Sequence, residues 1–136
     1  MALVRRVNEL FNALDPDPDV RRGSTALRDL MALFDEDMEY VQVGGPPDAA
    51  SFGGRRSFQA VWEEWLSIWR EHRSTIVEIR EEGDRVLILT HERFRPREGM
   101  DLERRGAGIF TIREGRVARL DAYMEQQPAI DAFERS

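Results

Sequence analysis

The chain has 136 residues, no cysteine, a net charge of -6, and 20 basic side chains that are all arginine, apart from two histidines. That length suits a single domain able to bury its own core; the lack of thiols excludes disulfides, cysteine-ligated zinc and thiol redox chemistry. The lack of lysine excludes Schiff-base chemistry and covalent pyridoxal attachment, and the acidic balance argues against a nucleic-acid partner, which needs a basic face.

Leu3, Val7, Leu10, Phe11 and Leu14 recur at helical spacing, and the helix they predict must end near Asp15-Pro16-Asp17-Pro18, because proline restricts the residue before it. The opening MALVRRVNEL lacks the apolar core and cleavage site of a secretion signal, and no later apolar run approaches membrane-spanning length. We therefore expect a soluble cytoplasmic protein with no membrane partner. A second helix opens at Ser24 or Thr25 as N-cap and carries Leu27, Leu30, Met31 and Phe34 on one face. Glu39 to Val43 reads as a strand, ended by Gly44-Gly45-Pro46-Pro47, and Ser51 to Arg56 as a glycine-containing loop.

From Ser57 the pattern is again helical: Phe58, Val61, Trp62, Trp65, Leu66 and Trp69 follow i, i+3, i+4, i+7 spacing. Three tryptophans on one stripe serve either as core or as the wall of a ligand site. Strands follow over Thr75 to Glu82, Val86 to Phe94, Leu102 to Arg113 and Arg116 to Gln126, with tight turns at Gly83-Asp84 and Glu114-Gly115. A short terminal helix holds Ile130 and Phe133. Consecutive hairpins imply a mainly antiparallel sheet with helices on one face, the α+β class.

The order of these segments resembles the SnoaL-like branch of the nuclear-transport-factor-2-like superfamily across nearly the whole chain, 1–136, read as one domain. The resemblance is carried by Asp35 to Tyr40, the glycine loop, the tryptophan helix, the run Ile109 to Leu120, and the closing Tyr123-Met124-Glu125. It implies a cone-shaped, strongly curved sheet with helices packed on its concave face around an apolar cavity, often in a homodimer. Ketosteroid isomerases, polyketide cyclases, epoxide hydrolases, dehydratases and noncatalytic binders share that fold, so reaction type stays open.

Strand alternation then selects candidates. In the last strand Ala118, Leu120, Ala122 and Met124 form the apolar set that should face the cavity. With the hairpin register of the family, Leu87, Leu89, His91 and Arg93 would face it from the strand after Gly83, and Arg104, Gly106, Gly108 and Phe110 from the next. The opposite parity would turn Asp121 and Glu125 inward instead. His91 is the candidate proton carrier, since an imidazole titrates near neutrality. Tyr40 and Gln42 share a face and match positions where the epoxide hydrolases hold water, so they complete a catalytic trio as oxygen donor and orienter. Trp62, Trp65, Trp69, Leu89, Arg93, Phe110, Leu120 and Met124 are the expected substrate contacts.

Where those hydrolases carry an arginine and two aspartates, direct register places Leu89, His91 and Ala122, which leaves their mechanism unsupported. His72, between Glu71 and Arg73, reads as a solvated residue at the end of the tryptophan helix. The two histidines lack a metal-ligand spacing, and neither a metal nor a cofactor is expected. The expected function is proton-transfer chemistry of isomerase, cyclase or dehydratase type on a small apolar or oxygenated ligand; a noncatalytic binding module is the alternative. A homodimer would form through an outer patch of Ile88, Phe94, Ile109 and Tyr123.

Overall fold

The computed structural model describes residues 2–44 and 51–135. Helices α1 (Ala2–Ala13), α2 (Pro18–Arg22) and α3 (Thr25–Ala32) lead into strand β1 (Phe34–Val43). A three-residue strand β2 (Ser51–Gly53) precedes α4 (Arg55–Leu66). Then come β3 (Trp69–Glu82), β4 (Arg85–Pro96), β5 (Leu102–Arg113), β6 (Arg116–Tyr123) and α5 (Gln126–Glu134).

The helix boundaries follow from local chemistry. Val4, Val7, Leu10 and Phe11 give α1 one buried stripe, and the helix stops at Ala13, three residues before Pro16. Ser24 caps α3, its hydroxyl accepting the Ala26 N–H at 3.1 Å, and Asp17 caps α2 on the Asp19 N–H at 2.9 Å. Residues 45–47 of the glycine-proline strand stop lie outside the described residues. The loop expected from Ser51 instead contributes β2, which pairs with β1.

One six-stranded sheet runs β2-β1-β6-β5-β4-β3, antiparallel except for the β1–β6 pair. The turns Gly83-Asp84 and Glu114-Gly115 join the long hairpins; Glu114 and Gly115 take φ of 53° and 78°, the left-handed geometry that a two-residue hairpin requires. Helices α1 and α4 pack on the inner face of the curved sheet, over a core that includes Leu30, Phe34, Met38, Phe58 and Val117. Asn12 fastens α1 to the edge strand β3: its side chain accepts the Ser74 N–H at 2.7 Å and donates to the Ser74 carbonyl at 2.8 Å.

Helix α5 covers the other face. Its Ala129 and Phe133 pack on Leu87, Leu89, Ala107 and Ile109. The outer apolar patch expected to support a dimer is therefore absent as an exposed surface. Ile88 points to the inner side, Phe94 is buried against Trp65 and Trp69, and Ile109 lies under α5 with Tyr123 packed beside it.

The tryptophan helix is shorter than its periodicity. Ser67 accepts the role of C-cap, its hydroxyl donating to the Glu64 carbonyl at 2.6 Å, and Trp69 already belongs to β3, opposite Pro96. His72 is likewise a strand residue and not a solvated helix end. Its Nε2–H donates to the Leu14 carbonyl at 3.0 Å and its ring lies 4.7 Å from that of Phe11. The last strand ends at Tyr123, before Met124.

A cavity under the helices

Strand register arranges the inner face in rows. Directly paired residues point to the same side of a sheet, so Tyr40, Leu120 and Phe110 form one row and Gln42, Ala122, Gly108 and Ile88 the next. Gly106 and Thr90 follow, and then Arg104, Glu92 and Ser74. Above these rows α1 contributes Val4, Val7, Asn8 and Phe11, and α4 contributes Val61, Trp62, Glu64 and Trp65. The enclosed space is a cavity of about 420 Å³. Glu64 and Ile68 are exposed while also lining it, and they mark with Arg104 the side on which it opens.

The apolar rows are bordered by one charged row. Arg104 Nε donates to Glu92 Oε1 at 2.6 Å, with 15% of the Glu92 side chain and 35% of the Arg104 side chain accessible. The guanidinium carbon sits 5.3 Å from the centre of the Phe94 ring, a cation–π contact that keeps it from swinging away. Gly106 sets the carboxylate: a Cβ there would come within 2.6 Å of Glu92 Oε1 and 3.1 Å of Thr90 Oγ1. The carboxylate thus lies over the bare glycine backbone. The Gln126 amide donates at 3.2 Å to both the Thr90 and Gly106 carbonyls, fixing the two strands at this row.

Tyr40 lies deep in the cavity. Burial pushes its phenol above the ordinary tyrosine value, opposed in part by a hydrogen bond from the Trp62 side chain, so it carries its proton at neutral pH. The Phe58 ring packs tilted against both, 5.1 Å from Tyr40 and 4.6 Å from Trp62. Together they make a rigid aromatic wall.

Of the residues expected at the site, Tyr40, Gln42, Trp62, Trp65, Phe110 and Leu120 line this cavity. Trp69 does not: as a strand residue it packs on Trp65 and Phe94, behind the charged row. His91, Leu89 and Arg93 lie on the opposite face of β4. His91 Nε2 is 3.7 Å from the Glu103 carboxylate, Arg93 pairs with the same carboxylate at 3.2 Å, and Leu89 is buried beside α5. Met124, beyond the end of β6, is exposed, and Ala118 lies outside the cavity. For His91, Leu89 and Arg93 the cause is a parity shift of one residue in β4, whereas Ala118 is passed over where the β5–β6 register shifts. Ile88, Thr90 and Glu92 face inward, which puts an acid where none was expected.

A signal for Glu92 existed in the sequence. An antiparallel neighbour of Arg104 that shares its face has to be either Glu92 or Arg93, and opposite charge favours the first, as it favours Glu103 opposite Arg93. Asn8 and Thr90 carried no comparable signal. Among the described residues no group of three or more histidines and carboxylates could hold a metal ion. No helix among them is long and apolar enough to cross a membrane.

Residues 4–120 match the model of the SnoaL-like domain. No functionally curated protein matches the chain. Among solved structures, an NTF2-like protein of unknown function from Exiguobacterium sp. 255-15 superposes with a TM-score of 0.74 at 16% identity, covering 92% of this chain and 99% of that one. TerC co-crystallised with polyporic acid gives 0.73 at 15% identity, over 98% and 94% of the two chains. An LEH-like epoxide hydrolase from M. tuberculosis gives 0.65 at 17%, over 98% and 90%. At these identities the likeness is one of fold.

Proposed function

Because the chain belongs to the SnoaL-like domain family, we propose that its cavity binds a small, mainly apolar organic molecule and that Glu92 exchanges a proton with it. The observation that carries this reading is the Glu92 carboxylate, turned into a largely apolar cavity whose volume falls in the range of small-molecule sites. A positioned carboxylate acts as general base toward an acidic C–H and returns the proton as general acid. Arg104 then stabilises negative charge developing on a ligand oxygen. Tyr40 and Gln42 add polar groups to the same wall. The reaction type remains isomerisation, cyclisation or dehydration, with Glu92 in the role the sequence had suggested for His91. A neighbour of the same fold co-crystallised with polyporic acid supports a small organic ligand.

The test is deuterium exchange. Aryl ketones that quench Trp62 and Trp65 fluorescence saturably are incubated in D₂O, and label uptake beside the carbonyl is followed by NMR. Wild-type protein should accelerate uptake, and Glu92→Gln should lose roughly 10²- to 10⁴-fold of that acceleration. Ketones that bind without acceleration would leave a noncatalytic binding module. One observation favours that second reading: Glu92 and Arg104 are already joined through one bond of 2.6 Å, which makes them a fixed recognition pair.

A further inference from the structure

We infer that the cavity selects ligands carrying a hydrogen-bond acceptor and a hydrogen-bond donor on adjacent carbons, an α-hydroxyketone or the corresponding enol, attached to an apolar body. The inference rests on the cavity being the ligand site proposed above. It starts from what the charged row leaves unused. Arg104 engages Glu92 through Nε and Oε1 alone. Among the described residues Nη1 and Nη2 of Arg104 and Oε2 of Glu92 make no hydrogen bond. A donor edge and an acceptor atom therefore stand side by side at the border of an apolar chamber.

Their positions are fixed from three sides. Phe94 underlies the guanidinium, the glycine at 106 receives the carboxylate, and the Gln126 amide ties the two strands that carry them. A receptor held in this way loses little freedom when a ligand arrives.

Charge and satisfaction then narrow the ligand. Among the described residues the charged side chains lining the cavity are Glu64, Glu92 and Arg104, two carboxylates against one guanidinium. An anionic head group would add a further uncompensated negative charge. A plain ketone would accept from Arg104 while covering Oε2 with hydrocarbon, and an acceptor or donor stripped of water without a partner is costly. A hydroxyl next to the carbonyl donates to Oε2 and removes that cost with no change in net charge. The apolar body is received by Ile88, Phe110, Leu120 and Trp62.

The experiment compares three probes by calorimetry on the wild-type protein: 2-(hydroxyacetyl)naphthalene, its methyl ether 2-(methoxyacetyl)naphthalene, and 2-naphthoate. The hydroxyketone should bind roughly 10- to 100-fold tighter than the ether, the worth of a hydrogen bond to a charged group, and tighter than the naphthoate. In Glu92→Leu the preference for the hydroxyketone over the ether should vanish. Equal binding of hydroxyketone and ether, a preference that survives in Glu92→Leu, or tightest binding of the naphthoate would each overturn the inference while leaving the cavity a small-molecule site. If none of the three binds, the inference and the ligand-site reading fall together. Hydroxyketone selectivity without any deuterium exchange would uphold the inference and remove only the catalytic part of that reading.

Discussion

His91 and Glu92 are neighbours in the chain and lie on opposite faces of the sheet. The imidazole meets Glu103 at 3.7 Å on the outer side, and the carboxylate meets Arg104 at 2.6 Å on the inner side. Replacement of the first should therefore be silent where replacement of the second is not. His91→Ala is expected to leave probe affinity and deuterium exchange within about twofold of wild type and stability within about 0.5 kcal/mol, as for other exposed pairs. A tenfold loss of affinity in His91→Ala, measured by the same calorimetry, would contradict the assignment of faces.

Gly106→Ala tests the cradle. The new methyl would sit 2.6 Å from Glu92 Oε1, the far end of a flexible side chain, so the carboxylate moves and the backbone stays. Stability should change by no more than about 1 kcal/mol, whereas discrimination between the hydroxyketone and its ether should fall. Urea unfolding and calorimetry on one preparation separate the two effects. Unchanged discrimination would mean that the glycine does not position the carboxylate.

Burial holds His72 below the ordinary histidine value, its bond to the Leu14 carbonyl opposing in part. The ring is held neutral, with Nε2–H donating to Leu14 and Nδ1 buried without a partner among the described residues. A proton on Nδ1 would have nowhere to bond. Because the folded value is depressed, the unfolded chain binds the proton first, so stability is full above about pH 6.5 and falls as pH drops toward the folded value. The urea midpoint of wild type should therefore decline between pH 7.5 and 5.5, and that of His72→Phe should decline less. Parallel profiles would exclude His72 as the titrating group.

Arg21 is almost fully buried. It donates to the Asp15 and Pro16 carbonyls at 3.0 and 3.2 Å and reaches Glu63 of α4 at 3.5 Å. It links the turn after α1 to the helix that roofs the cavity. Arg21→Met keeps much of the volume but takes the donor from the Asp15 and Pro16 carbonyls and leaves the Glu63 carboxylate with Gln59 at 3.4 Å, and should cost on the order of 2–4 kcal/mol in chemical unfolding. A loss below about 0.5 kcal/mol would show that water replaces these bonds.

How far the sequence could be read depended on whether each segment had one covered face or two. The last strand has an apolar and a polar set, and Leu120 and Ala122 indeed face the cavity. Arg104, Gly108 and Phe110 were legible for the same reason. Strand β4 is apolar on both parities because α1 and α4 cover one face and α5 the other: Ile88 serves the cavity, and Leu87 and Leu89 serve the outer cluster. Alternation cannot choose a face there, and the wrong choice carried His91, Leu89 and Arg93 with it. Trp69 misled differently. It continues the helical spacing of Trp62 and Trp65, yet the chain has already turned at Ser67, and contact with Phe94 is made from a strand. Helix α2 and strand β2 are too short for any periodicity to reveal.

The placement of β6 between β1 and β5 also dictates an order of assembly. Glu39 and Arg119, partners across the parallel pair, are 80 residues apart in the chain. Until β6 has been synthesised, β1 with β2 and the hairpins of β3 to β5 have no shared neighbour, and each presents an open strand edge to the other. Joining them requires closure of a long loop, which slows folding relative to local contacts. A nascent chain of this protein therefore carries two unsatisfied sheet edges until Arg116–Tyr123 has emerged, and that one strand closes both.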